Sequence, residues 1–147
     1  MLPFNNVLSN LQSSHIKTTK LIIVLILVPL GIYTKFYHGP GEGFVHAYLG
    51  GILYVIFFIF LASLVFPKVR ALKISLVVFV ITCLLEFTQL IQTPWLNKLR
   101  EYFLVHALIG SGYTTYDLFF YLVGGIIGYG GLKGINKFYM NNKKPEM

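Results

Sequence analysis

Residues 44–66 read FVHAYLGGILYVIFFIFLASLVF, an apolar run in which His46 is the sole acidic or basic side chain and which Pro67 closes. At about 1.5 Å of rise per residue, such a run crosses a hydrocarbon core of about 30 Å. It reads as a membrane-spanning helix, and the rest of the chain takes its meaning from that.

Working outward, an earlier run covers Leu21 to Tyr33 and extends through Thr34 to Tyr37. It lies between Lys20 and Lys35, whose side chains can snorkel to an interface. Its length also fits a signal-peptide core. Tyr33-Thr34-Lys35-Phe36-Tyr37 stands where a small-x-small cleavage site would fall, so the run is read as an uncleaved first helix. A third run goes from about Ala71 to Gln92, with Pro94 ending it, and a fourth from about Thr115 to Leu132, closed by Lys133 and Gly134. Residues 94–114 form a wetter stretch with Trp95, Asn97, Lys98, Arg100 and Glu101. Its apolar middle, Tyr102 to Ile109, is too short to span and reads as interfacial or re-entrant. The expected fold is all-α and polytopic, with four transmembrane helices.

Composition agrees. The chain is 56% hydrophobic and 12% charged, with a mean hydropathy of +0.71. Ordinary globular domains carry about a quarter charged residues, so this chain cannot clothe itself in a water-facing surface and needs lipid. The net charge of +7 is held in short clusters between apolar runs, which is the pattern of membrane anchors rather than of a nucleic-acid-binding face. The lone Cys83 lies in an apolar run and reads as a small packing residue. By length this is one domain: a four-helix transmembrane unit over residues 17–140, a disordered tail at 141–147, and residues 1–16 as an inner-surface amphipathic segment with Phe4, Val7, Leu8 and Leu11 at helical spacing.

The lysines and arginines set a direction. One side takes Lys17, Lys20, Lys68, Arg70, Lys73, Lys133, Lys137, Lys143 and Lys144; the other takes Lys35, Lys98 and Arg100. Nine against three places both termini and the Pro67 loop in the cytoplasm by the positive-inside rule, and the expected location is a bacterial cytoplasmic membrane.

With direction assigned, the polar residues inside the spans fall into the outer half. Thr82, Glu86, Gln89 and Thr93 share one face of the third helix. Intramembrane ionisable groups face a bundle interior or wet cavity and mark candidate sites by default. Asp117, Tyr121, Gly124 and Gly128 repeat the same spacing on the fourth helix, and His46 with Gly50 enters on the second. The candidate pocket is therefore His46, Glu86, Gln89, Arg100, Asp117 and Tyr121. Gly50, Gly124 and Gly128 serve helix packing through small-xxx-small contacts. The inner half is expected to hold only loop anchors. Bland readings stand beside these: Glu86 with Arg100 as a structural ion pair, His46 as a satisfied interfacial histidine, Asp117 as a helix cap, Tyr121 as packing. No His-x-x-x-His, Glu-x-x-His or cysteine pair occurs, and no Gly-x-Ser-x-Gly nucleophile motif; no metal or cofactor is expected.

Glu86-Phe-Thr-Gln89-Leu-Ile-Gln-Thr-Pro-Trp95-Leu-Asn-Lys-Leu-Arg100, followed by Asp117-Leu-Phe-Phe-Tyr121-Leu-Val-Gly124, resembles the VanZ-like superfamily, and within it an uncharacterised branch of small four-helix bacterial membrane proteins grouped as a domain of unknown function. The family's recurring elements fall here at His46, Glu86, Gln89, Arg100, Asp117 and Gly124. Two positions depart from better-known members. Tyr121 stands where they carry asparagine, and Arg100 lies farther from Asp117 than their arginine does.

Three functions are weighed. The first is a non-catalytic protein that binds the polar head of a membrane lipid or lipid-linked cell-wall intermediate in an outer-leaflet pocket, with Arg100 as donor to phosphate or carboxylate. The second is an intramembrane acid–base enzyme using Glu86 and Asp117 on a lipid head group. The third is a small ion- or proton-coupled transporter, a homo-oligomer through its glycine-rich fourth helix.

Overall fold

The computed structural model describes residues 3–88, 91, 93–102 and 115–141, apart from the side chains of residues 3–9, 96, 100 and 115. Gln89, the Arg100 side chain, all but the first residue of the Tyr102–Ile109 stretch, and the tail beyond residue 141 lie outside these described residues.

The described residues are all-helical, without a strand. Four helices are long and apolar enough to cross a membrane, which makes this a multi-pass membrane protein. Helix α1 is Pro3–Phe36 and α2 is Glu42–Val65; α3 is Ala71–Thr88, α4 the short Pro94–Arg100, and α5 Thr115–Asn141. The bundle's outer surface is lined by large apolar side chains left exposed, among them Leu25, Ile26, Val80, Leu84, Ile126 and Ile127. A water-soluble monomer does not leave so much apolar area bare; here lipid covers it.

Three helices differ in extent from the sequence expectation. The first span is part of one continuous helix from Pro3, so the residues read as a separate amphipathic segment join the same rod. The fourth runs to Asn141, through Lys133 and Gly134 rather than ending at them. Pro94 does not merely end the third span: it stands at the start of α4, where its missing N–H costs nothing. The described part of α3 ends at Thr88, so Thr93 precedes α4 and does not extend the α3 face.

α2 is central and packs against α1, α3 and α5, while α3 also packs along α5. Val55 and Ile59 of α2 are fully buried and meet Val24 of α1, Ile74 and Val78 of α3 and Leu132 of α5. The closest approach is between α5 and α2. A Cβ on Gly124 would lie 2.8 Å from the Ile52 carbonyl oxygen, and one on Gly128 would lie 2.7 Å from Ile59 Cδ1. Only glycine permits this contact, so the small-residue face of α5 is occupied by α2 of the same chain.

The two ends of the bundle are built differently. Phe44 and Tyr48 of α2 pack on Phe120 of α5, with the Tyr48 and Phe120 rings stacked at 4.3 Å. At the other end, Thr19 Oγ1 and the Tyr139 hydroxyl hydrogen-bond at 2.8 Å, and the Gln12 amide donates to the Tyr139 carbonyl. The start of α1 therefore lies beside the end of α5. The Pro67 loop belongs to this same, lysine-rich end, called the basic end below; the end that carries Glu42 and Asp117 is the opposite end.

Candidate functional site

The inward stripe of α3 is Ile74, Ser75, Val78, Thr82 and Glu86. Its last member is 1% exposed, one of the most completely enclosed side chains in the molecule. A carboxylate in a membrane interior is tolerable only with polar company. The Tyr121 hydroxyl of α5 supplies it, donating to Glu86 Oε2 at 2.8 Å. Thr82, one turn earlier, turns its hydroxyl back to the Val78 carbonyl at 2.8 Å, so its proton is not directed at the carboxylate.

Tyr121 is itself held from a third helix. Its ring lies so close over Gly51 of α2 that a Cβ there would be 2.8 Å from Cε1. Asp117 stands one turn earlier on α5 and Tyr54 one turn beyond Gly51 on α2, both half-buried. Glu86 and Tyr121 thus meet where α2, α3 and α5 come together. Sequence reading placed Tyr121 in the candidate pocket with packing as its plainer role; the structure makes it the direct partner of Glu86. Gly51 and Tyr54 were missed. Their sequence signal is slight: a second glycine beside Gly50, and a tyrosine one turn beyond.

His46 is engaged elsewhere. Residues 45–49 widen into a π-helical turn, and His46 Nε2 lies 2.7 Å from the Tyr37 carbonyl just beyond α1, with the His38 ring centred 6.0 Å away. His38 Nδ1 in turn meets Glu42 Oε1 at 2.9 Å. This arrangement ties the α1–α2 loop to α2. Gly50 lets the Thr34 hydroxyl of α1 approach, since a Cβ would meet Oγ1 at 3.3 Å. Among the described residues no three histidine, cysteine, aspartate or glutamate side chains converge on a common point for a metal ion.

Two hollows flank the core. An apolar groove of about 660 Å³ runs between α2 and α3, lined by residues that include Tyr54, Phe58, Val65, Lys73, Val77 and Leu85. One end reaches Thr82 and Leu85 on α3; the other reaches the basic end at Lys73. A second, more polar cavity of about 360 Å³ lies at the basic end between α1, the end of α2 and the last turns of α5. It contains Lys20, which is 5% exposed. The basic end therefore holds more than loop anchors: Lys20 is enclosed by the bundle.

No curated protein and no solved structure matches the chain. A family model does, over residues 41–125. The match takes in α2, α3 and the first turns of α5, and with them His46, Gly51, Glu86, Asp117 and Tyr121, while α1 and Lys20 fall outside it. Since it covers more than half of the sequence, the chain belongs to DUF2809, a family described as protein of unknown function.

Proposed function

We propose that the chain is a non-catalytic binding protein of a bacterial cytoplasmic membrane, with both termini cytoplasmic, that takes the polar head of a lipid or lipid-linked envelope component at its outer end. The observation that carries this reading is the carboxylate of Glu86, 1% exposed and hydrogen-bonded by Tyr121 at 2.8 Å within a membrane-spanning helix. Such a group is costly to retain in a membrane span unless it does something there. Glu86 and Asp117 accept from hydroxyl or amine groups of the head. Gln89, which the sequence places on the third helix, and Arg100, in the outer stretch after it, add an amide and a donor suited to phosphate or carboxylate. The VanZ-like resemblance of residues 86–124 is part of the same reading.

The groove between α2 and α3 supports a lipid-linked ligand over a free polar one. It runs from Tyr54 and Leu85, one turn or less along the chain from Gly51 and Glu86, toward the basic end with an apolar lining, as a hydrocarbon chain would require.

The test is to purify the protein in mild detergent and identify co-purifying lipids by mass spectrometry, for the wild type, Glu86→Gln and Tyr121→Phe. The expected result is a specific envelope lipid that both variants lose while reaching normal membrane abundance. Variants that keep the wild-type lipid profile, or that lose it only by failing to accumulate, would mark the cluster as structural.

A further inference from the structure

Lys20 has an environment that the outer-end reading does not use. Its residue is 5% exposed, although it stands in a helix whose apolar face could have carried it to the surface. Among the described residues it takes part in no ion pair. The chain has five acidic residues. Glu42 and Asp117 begin α2 and α5, Glu86 lies near the end of α3, and Glu101 follows α4, so all four belong to the opposite end. The fifth, Glu146, lies outside the described residues. An ammonium group that has lost most of its contact with water and has no counter-ion is unfavourably placed.

The cavity beside it is furnished for an anion. Ser13, Lys17 and Lys20 contribute from one face of α1, and Asn136 from α5. Two other polar walls are already committed: Ser63 donates to the Phe60 carbonyl at 2.8 Å, and Gln12 donates to the Tyr139 carbonyl. The remaining donors are two ammonium groups, a hydroxyl and an amide, with no carboxylate among the described residues that line the cavity. At about 360 Å³ it is large enough for a small polar head.

Its height in the membrane narrows the ligand. From Lys20 to Phe36, α1 rises about 24 Å at about 1.5 Å per residue. Against a hydrocarbon thickness of about 30 Å, Lys20 sits near the boundary at which lipid phosphates lie. We infer that the cavity between α1, α2 and α5 at the basic end is a binding site for a phosphate group, with Lys20 as the inner and Lys17 as the outer cation. The phosphate arrives on the head of an anionic lipid of that leaflet or as a free anion. This site is separate from the Glu86 cluster and stands or falls independently of it.

The experiment uses the full chain reconstituted with equal amounts of phosphatidylglycerol and phosphatidylcholine, the retained lipid being measured by native mass spectrometry. The expected result is about a tenfold preference for phosphatidylglycerol, lost in Lys20→Gln and kept in Lys137→Gln, an exposed lysine off the cavity. In lipid-free detergent, millimolar inorganic phosphate that raises the melting temperature and displaces phosphatidylglycerol would support the phosphate site and identify the free anion as its source. Equal retention of the two lipids together with no response to phosphate overturns the proposal, whether or not Lys20→Gln folds. Full preference in Lys20→Gln overturns it too. So does a preference that appears only in Glu146→Gln, since the chain's own carboxylate would then be the occupant.

Discussion

The Tyr121 hydroxyl on α5 reaches Glu86 Oε2 on α3 at 2.8 Å while its ring closes over Gly51 of α2. One side chain thereby links three helices, and its two ends do different physical jobs. The hydroxyl answers a buried charge. The ring depends on the absence of a Cβ. Each job can be removed alone.

Tyr121→Phe takes away the donor and leaves the ring in place. Interhelical hydrogen bonds in membranes average about 0.6 kcal/mol when both partners can relax, but a donor removed from a buried carboxylate leaves a larger deficit, about 1–3 kcal/mol. Reversible unfolding in mixed micelles should show destabilisation in that range. In Glu86→Leu the same Tyr121→Phe change should cost much less, because there is no longer a carboxylate to satisfy. Additive costs in this double-mutant cycle would mean that the contact carries no energy.

Gly51→Ala tests the ring. A methyl 2.8 Å from Cε1 forces Tyr121 to move, so the variant should lose thermal stability and a large part of whatever ligand binding depends on Glu86. Gly124→Ala should be worse, because its obstacle is the backbone carbonyl of Ile52 at 2.8 Å, which cannot swing aside. Gly125→Ala is the control: nothing lies within 4 Å of its added methyl, and alanine favours a helix over glycine by about 1 kcal/mol. The expected order of melting temperatures is Gly125→Ala at or above wild type, then Gly51→Ala, then Gly124→Ala.

These contrasts also mark how far sequence reading reached. Spans could be recognised because hydropathy is a property of each residue, and a run of apolar side chains has few other destinations. Glu86 was recognisable because a carboxylate within such a run must face inward. Ends were harder. Lys133 and Gly134 look like a helix stop, yet the helix continues past them to Asn141, with Tyr139 bonded to Gln12 and Thr19 of α1. Pro94 is equally suited to stopping one helix and starting another. Partners were harder still. Nothing in one dimension tells that Tyr121 points at Glu86 while His46 turns to the Tyr37 carbonyl. Lys20 was misread for the same reason. A lysine at a membrane edge normally snorkels, and its burial depends on how α1 is rotated against α2 and α5. The spacing of Ser13, Lys17, Lys20 and Val24 along one face was visible, but its partner face was not.

His46→Ala should act locally. Removing the ring abolishes the 2.7 Å contact to the Tyr37 carbonyl and frees the loop between α1 and α2. The typical net worth of one such bond is about 0.5–1.5 kcal/mol, small against the whole bundle. Hydrogen exchange should quicken over residues 38–45, with little change along α3. Loss of protection at Glu86 and its neighbours would instead place His46 within the polar cluster.

The direction of insertion follows from charge and can be read without any ligand. In a Cys83→Ser background, cysteines introduced at Lys68 in the loop before α3 and at Gly41 before α2 stand at opposite ends of the bundle. Both sites are exposed, so reactivity reports sidedness rather than burial. Nine cations against three favour the Lys68 end in the cytoplasm. A membrane-impermeant maleimide added to intact cells should therefore label Gly41→Cys and leave Lys68→Cys unlabelled until the membrane is permeabilised. The reverse pattern would place the Glu86 end toward the cytoplasm and remove the outer-leaflet basis of the proposed function. The phosphate cavity at Lys20 would survive that reversal, facing the opposite leaflet, because its chemistry rests on buried cations rather than on which compartment they face.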